Sequence, residues 1–437
     1  MYSHPSLLSY AEACTYLISL ASLEPLRQAR AQGADGLART RALLDALDNP
    51  QDHLKFVHIT GTSGKGSTLA FLQHLLAAAG VPVLGFTSPH VTTLLERMTT
   101  GAGELPVAAF LRAVERLRPV IHDFYCHSPH GAPTFFEAMF GLALVMARDL
   151  GISLVLVEAG VGGTLDTTQV IPAPLVAIVT DVGLDHQKVL GETLSLIAAD
   201  KAGIFKKGSY LLTGATREEA LIELEARAAA LDQPLERILP QGSRVNFEGA
   251  APPPSSRVLA LRAYDLLSEA GLHLPSPPVE EALARYFLPG RCEVLGSDLV
   301  VDLAHNPDKV AFFDEYFHHH YGPGGVVIFT QARDKDLAST LPRLRTFDTL
   351  VITRLVRSER KMWSPREIAG VASGLFRQVV ITLSPEEALV AARQLRGLHT
   401  RIAATGSTFL VGELRRYFQT EEELITRGRL GRLPSGG

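Results

Sequence analysis

Short apolar runs alternate with longer amphipathic stretches along most of this chain. FVHIT (56–60), VPVLGFT (81–87), LVLVEAG (154–160) and LVAIVTDVG (175–183) are almost continuously hydrophobic, the pattern of strands buried on both faces. Between them lie helix-length segments, of which FFEAMFGLALVMARDL (135–150) is the clearest. Beyond two proline-rich patches, Pro252–Pro254 and Pro275–Pro278, the alternation resumes. DLVVDLAH (298–305), GVVIFTQA (325–332), TLVITR (349–354), VVITL (379–383) and RIAATGS (401–407) read as a second set of strands. This pattern predicts an α/β protein with mostly parallel sheets, whose ligands sit beyond the carboxyl ends of the strands. The proline patches are read as the edge of the first unit. The boundary falls near Leu288–Arg291, giving domains 1–288 and 289–437, with RLPSGG as a disordered C-terminal tail.

One stretch carries more chemistry than the rest. VHITGTSGKGST (57–68) runs from an apolar strand into a glycine loop and on into the amphipathic LAFLQHLLAAAG. Gly61, Gly64 and Gly66 are expected to bring backbone N–H groups close to an anion in conformations that a Cβ forbids. A helix starting near Ser67 would aim its unpaired N–H groups at the same place, and Lys65 would add a mobile positive charge. Thr62, Ser63 and Thr68 complete a cradle suited to a triphosphate. The strict G-x-x-x-x-G-K-[ST] pattern is not met, because Ile59 replaces its first glycine and Gly66 follows Lys65.

Composition narrows the partners. The chain has 437 residues, 46% hydrophobic and 20% charged, and a formal net charge of −4. Without a basic face, nucleic acid is not an expected partner. Cys14, Cys126 and Cys292 are too far apart and too few for a disulfide framework or a zinc pattern. With no secretion signal and no membrane-length apolar run, the expectation is a cytoplasmic protein acting on small molecules.

Several polar residues fall at predicted strand ends. Glu158 closes LVLVE and is placed to hold Mg2+; His186, beside Asp185, could ligate a metal or orient its water. Ser88 and His90 follow the second strand, and Lys201 lies on the helix after the His186 loop. In the second half, Asp302 and His305 end another strand, with Arg291 in the turn before it. An arginine there could clamp phosphates and Asp302 could accept from ribose hydroxyls. His318, His319 and His320 are consecutive and so do not share a helix face, which argues against a metal site.

Taken in order, these segments resemble the folylpolyglutamate synthase/dihydrofolate synthase family of the Mur ligase superfamily. VHITGTSGKGST is similar to the family's HVTGTNGKGST, FTSPHVTTLLERM to TSPHL…NERI, and TFFEAMFGLAL to its TxFE helix. VEAGVGGTLDTTQVI resembles LEVGLGGRLDATNVI, and VTDVGLDHQKVLGETLSLIAADKAGIFK resembles ITSIGLDHxxxLGxTxxxIAxEKAGI. PGRCEV, VDLAHNP, DKDLAS and ATGSTFLVGELR match its later motifs. The resemblance implies a P-loop-containing central ATPase domain and a smaller Rossmann-like C-terminal domain. It also implies an ATP-dependent ligase that activates a folate-type carboxylate as an acyl phosphate and joins it to L-glutamate, working as a monomer. Carried over by motif, Gly61 to Thr68 would hold ATP. Ser88, Glu158 and His186 would bind Mg2+, and Lys201 would be a carbamylated lysine supporting a second ion. Arg291, Asp302 and His305 would serve the nucleotide from the C-terminal domain, making domain closure part of the mechanism. Catalytic roles would fall to Lys65, Lys201, His186 and His305.

The chain also departs from that pattern. Ser63, Thr164 and Gln169 replace the family's asparagine, arginine and asparagine. In GAAPPPSSRVLALRA (249–263), Pro252, Pro253 and Ser256 stand where the family carries adenine-facing His, Gln and Asn, and proline offers no side-chain donor. Region 209–288 looks short and divergent. A Mur-type ligase with a non-folate carboxylate acceptor is the alternative reading, and a degenerate nucleotide-binding protein that retains the fold is a further one.

Overall fold

A computed structural model of the chain describes residues 9–22, 34–238, 253–357, 360–397 and 401–431. Pro252 and the RLPSGG tail lie outside the described residues. The described residues form two compact units. One lies within Met1–Ser88, Leu94–Asn246 and Ala251–Tyr286, and the other within Pro89–Thr93 and Phe287–Gly437.

The first unit is built on a seven-stranded sheet. Its strands are β1 (Lys55–Thr60), β2 (Val83–Phe86), β3 (Met98–Thr100), β4 (Leu154–Glu158), β5 (Val176–Val179), β6 (Tyr210–Thr213) and β7 (Leu235–Arg237). They run in the order β3-β2-β4-β1-β5-β6-β7, all parallel except β3. β1 is central, registered against β4 on one side and β5 on the other, and its last five residues are buried. That is why FVHIT carries no polar face. Several apolar runs, such as LVLVEAG and LVAIVTDVG, extend beyond their strands because their last residues leave the sheet to form the loops that follow.

The Phe135–Asp149 helix starts at a reciprocal capping box between Thr134 and Glu137 and is buried from Glu137 to Ala147. Glu137 also takes a bidentate pair from Arg39 at 2.7 and 2.8 Å, so the one carboxylate inside this apolar helix is neutralised.

The region 209–288, read as short and divergent, contains β6, β7 and helices Glu218–Ala230, Pro254–Leu267 and Val279–Arg285. The described prolines of the two patches are not the edge of the unit. Pro254 is the first residue of a helix and Pro278 caps another, both inside it. Proline fits there because the first helical turn needs no N–H donor.

The second unit holds a six-stranded sheet of β8 (Glu293–Leu295), β9 (Leu299–Val301), β10 (Val326–Phe329), β11 (Thr349–Ile352), β12 (Gln378–Ile381) and β13 (Ile402–Thr405). Its order is β12-β11-β10-β13-β9-β8, with antiparallel β8 at one edge. Alternate residues divide between two cores. Val327 and Phe329 join Phe313, Phe317 and Leu344, while Val326 and Ile328 join Leu389, Leu410 and Leu414. This is the layered packing expected of a sheet covered on both faces. The Pro89–Thr93 segment belongs to this unit, where Arg415 donates to Thr92 Oγ1 and Arg416 to the Thr92 carbonyl at 3.1 Å.

Candidate functional site

The carboxyl ends of β1, β4 and β5 gather the loops of the first unit. β1 passes directly into residues 61–64 and then into a helix that begins at Lys65, two residues earlier than the sequence suggested. Gly61 (φ +149°) and Gly64 (φ +86°) adopt left-handed-region conformations. A Cβ on Gly61 would lie 2.0 Å from Thr180 Oγ1, so that position admits glycine alone. Gly66 is different from the expectation. It sits within the helix, and a Cβ there would meet Glu158 Oε2 at an ordinary 3.7 Å. Its place marks how near Glu158 comes to the helix start.

The loop is tied to the segment after β5. Thr62 N–H donates to Asp181 O at 2.9 Å, Thr62 Oγ1 donates to Gly183 O at 3.0 Å, and Gly183 N–H donates back to Thr62 Oγ1 at 2.9 Å. Thr180 Oγ1 donates to Ser63 O at 2.6 Å. Lys65 Nζ reaches back to Gly61 O at 2.8 Å. Ser67 and Thr68 are buried in the first turn. From Pro254–Leu267, Ser256 Oγ lies 3.5 Å from Gly64 O, so the helix carrying the divergent residues packs on the loop.

Glu158 is buried at the end of β4 and accepts from the Ser88 N–H at 3.2 Å. Arg97 is a residue the sequence reading left out of the site. Its guanidinium is buried, stacks over Phe135 at 5.2 Å, and feels the charges of Glu158 and Glu96. Burial pulls its pKa down to about 10, against the raising effect of those carboxylates.

Lys201 is the last residue of the Leu194–Lys201 helix and only 4% exposed, not a solvated helical lysine. Burial pulls its pKa down to about 7; the neighbouring Lys65 charge adds to this, and Asp200, Asp185 and Asp166 oppose it. The 160–164 loop leans on this helix end, with Gly163 N–H donating to Asp200 Oδ2 at 2.9 Å and Thr164 Oγ1 to Asp200 O at 2.9 Å. His186 holds a left-handed backbone (φ +52°), with its ring 43% exposed and Nε2 4.0 Å from Asp185 Oδ1. Lys65, Ser88, Glu158 and Lys201 are thus brought into one neighbourhood of the first unit. Among the described residues, no three His, Cys, Asp or Glu side chains converge as a metal cage.

In the second unit, Asp302 follows β9 and is buried. Its carboxylate accepts from Cys292 N–H at 3.0 Å and Ala304 N–H at 2.8 Å, with Arg291 Nη1 at 3.9 Å. Burial raises its pKa, against the opposing Arg291 charge and these hydrogen bonds. Asp302 therefore orders the turn that presents Arg291. His305 Nδ1 lies 2.9 Å from Leu303 O, and Gln331 Nε2 donates to His305 O at 3.0 Å. Gly406, also at positive φ, donates to Ala304 O at 2.8 Å just ahead of Ser407. His318 is occupied otherwise, its ring between Gly322 O (2.8 Å) and Thr346 Oγ1 (2.9 Å).

Comparison with known proteins adds to this geometry. The chain is 28% identical over 415 residues to the dihydrofolate synthase/folylpolyglutamate synthase of Bacillus subtilis, a match spanning 87% of this chain and 94% of the relative. Mycobacterium tuberculosis folylpolyglutamate synthase complexed with ADP matches the structure with a TM-score of 0.81 at 25% identity, covering 93% of this chain and 99% of that one. A folylpolyglutamate synthase in complex with AMPPCP and folate matches with a TM-score of 0.77 at 26% identity, covering 94% and 100%. No protein-family model matches the chain. The fold and its phosphate loop define an ATP-dependent acid–amino-acid ligase of the Mur type. Within that class the chain is similar to members of the folylpolyglutamate synthase/dihydrofolate synthase family.

Proposed function

We propose that this ligase joins L-glutamate to a folate-type carboxylate, either dihydropteroate or a reduced folate, at the expense of Mg-ATP. The observation that carries the reading is the meeting of Lys65, Glu158 and buried Lys201 at one end of the first sheet. A carboxylate has no leaving group adequate for attack by an amine. Transfer of the γ-phosphoryl group to it supplies one, and the amine of glutamate then displaces phosphate through a tetrahedral intermediate. Positioning and charge neutralisation are what a protein contributes to such a transfer.

Each residue has a part in that proposal. Gly61 to Thr68 hold the phosphates, with the Lys65 ammonium on the outer ones. Ser88 and Glu158 offer oxygen donors beside the start of the helix, and His186 stands on the neighbouring loop. A site of one carboxylate plus hydroxyl, water and phosphate suits Mg2+, which favours oxygen and keeps part of its water shell. When bound, Mg2+ neutralises charge developing on the transferred phosphoryl group. Lys201, poised at about 7, is available as a neutral amine that captures CO2, forming an N–C bond and releasing a proton. The resulting carbamate anion would offset the Lys65 charge and support a second ion. Within the second unit, Asp302 holds in place the turn that presents Arg291.

Thr164 and Gln169 favour keeping a second acceptor class in the test. Both are spent on the Lys201 helix end, Gln169 Nε2 donating to Gly203 O at 2.6 Å, where the resemblance carries an arginine and an asparagine. ADP release is measured with Mg-ATP, L-glutamate and a panel of dihydropteroate, tetrahydrofolate and unrelated carboxylic acids. Release that needs both glutamate and a pterin acceptor is expected. Turnover confined to a non-pterin acid would overturn the folate assignment and leave the ligase.

A further inference from the structure

A buried polar relay runs behind the phosphate loop, and its direction can be worked out from proton counting. His58 is in the middle of β1, three residues ahead of Gly61, and is 0% exposed. Its Nε2 lies 2.8 Å from Thr168 Oγ1, while Nδ1 is buried without a hydrogen-bond partner. Thr168 Oγ1 donates in turn to Asp166 Oδ1, which also accepts the Thr168 N–H at 2.9 Å. The other oxygen, Asp166 Oδ2, accepts the Val161 N–H at 2.9 Å.

A hydroxyl has one hydrogen to give. Thr168 gives it to Asp166, so it must accept from His58, and His58 must be the neutral Nε2–H tautomer. An imidazolium would bury a second N–H with no acceptor. Burial accordingly pulls the pKa of His58 down to about 3, with the Lys206 charge adding to the effect. All donors in the chain then point one way, from β1 towards the Asp166 carboxylate. That carboxylate fixes Val161, three residues after Glu158. Thr60 Oγ1 donates to Gly162 O at 2.5 Å, and Asp200 holds Gly163, so the whole 160–163 turn is pinned between Glu158 and Lys201.

We propose that His58 is a positioning residue: its Nε2–H sets the Thr168 hydroxyl towards Asp166, and so holds the 160–163 turn between the metal-site carboxylate and the reactive lysine. This deepens the ligase reading and rests on it for its effect on turnover, whereas the tautomer does not. Neither His58 nor Thr168 touches substrate in this account.

The test has two arms on the full-length protein. In 15N-histidine NMR, His58 is expected as an Nε2–H tautomer that does not titrate between about pH 5 and 8; Thr168→Val should abolish the tautomer preference and Thr168→Ser keep it. In ADP-release assays, His58→Leu and Thr168→Val should lower kcat roughly ten- to a hundredfold, the scale of residues that orient a metal-site group, with KM for Mg-ATP little changed. His58→Gln and Thr168→Ser should retain most of it, which guards against misfolding as the cause. An Nδ1–H or titrating His58, or folded His58→Leu and Thr168→Val proteins with wild-type kcat, would overturn the inference. Because the NMR arm needs no turnover, failure of the folate reading leaves it intact.

Discussion

Nζ of Lys65 donates to the carbonyl oxygen of Gly61 at 2.8 Å, closing the phosphate loop on its own backbone. A flexible ammonium held by one neutral acceptor can be transferred to phosphate oxygens, which accept charge-assisted bonds of about twice the strength. Lys65→Ala should keep the fold and lower kcat/KM for Mg-ATP by at least about a hundredfold, the scale of one lost charge-stabilising donor. Steady-state ADP release with a thermal melt on the same sample checks both statements.

Gly61→Ala should be far worse than an ordinary glycine substitution. The backbone at φ +149° costs an L-residue roughly 1–3 kcal/mol, and the new methyl would meet Thr180 Oγ1 at 2.0 Å. Since Thr180 also donates to Ser63 O, Thr180→Ala in the same chain relieves the clash while loosening the loop. Denaturant unfolding should place Gly61→Ala lowest in stability and the double variant between it and wild type. Equal stability of the single variant and wild type would refute the steric account.

In the proposed mechanism Lys201 links turnover to pH and to CO2. Its pKa falls from the model-compound 10.5 to about 7, so the unfolded chain binds more protons between those values. Its contribution to stability therefore rises with pH from about 7 to 10.5, and its penalty is complete below about 7. The neutral amine needed for carbamylation grows over the lower part of the same window. Intact-mass analysis in bicarbonate should find the wild type heavier by one CO2, a gain missing in Lys201→Ala. Short carboxylic acids should restore turnover to Lys201→Ala in part, and Lys201→Arg should not respond to them.

In the second unit, Arg415 and Glu293 form a bidentate pair at 2.8 and 3.1 Å, with side chains 1% and 4% exposed. Removing one partner strands the other charge in the interior. Arg415→Ala should cost about 3–5 kcal/mol, read from denaturant midpoints. An Arg415→Met/Glu293→Leu double variant should be markedly less destabilised than that single change, because no charge is left unpaired.

Asp302 offers a milder test of the same kind. Asp302→Ala leaves the N–H groups of Cys292 and Ala304 without their acceptor, at roughly 1–3 kcal/mol each. Denaturant unfolding should show that loss for Asp302→Ala, whereas Arg291→Ala, which removes a half-exposed guanidinium 3.9 Å from Asp302, should cost little stability.

Local pattern was enough for the strand–glycine loop–helix at 55–78, for most strands of the two sheets though not buried β6, and for the motif order that resembles the family. Those features are local. An apolar run buried on both faces or a glycine at positive φ leaves its mark within a few residues, so the pattern can be read without the fold. Short edge strands such as β3 and β8 and the half-exposed β7 were missed because three residues carry too little periodicity. The tertiary structure alone decided what Lys201, Arg97 and His58 are. A lysine on a helix looks solvated until the 160–164 loop covers it, and His58 meets Thr168 across 110 residues of chain. The reason is the strand order. Parallel neighbours β4, β1 and β5 are not consecutive in sequence, so the groups at their carboxyl ends share burial and charge that no window of sequence contains.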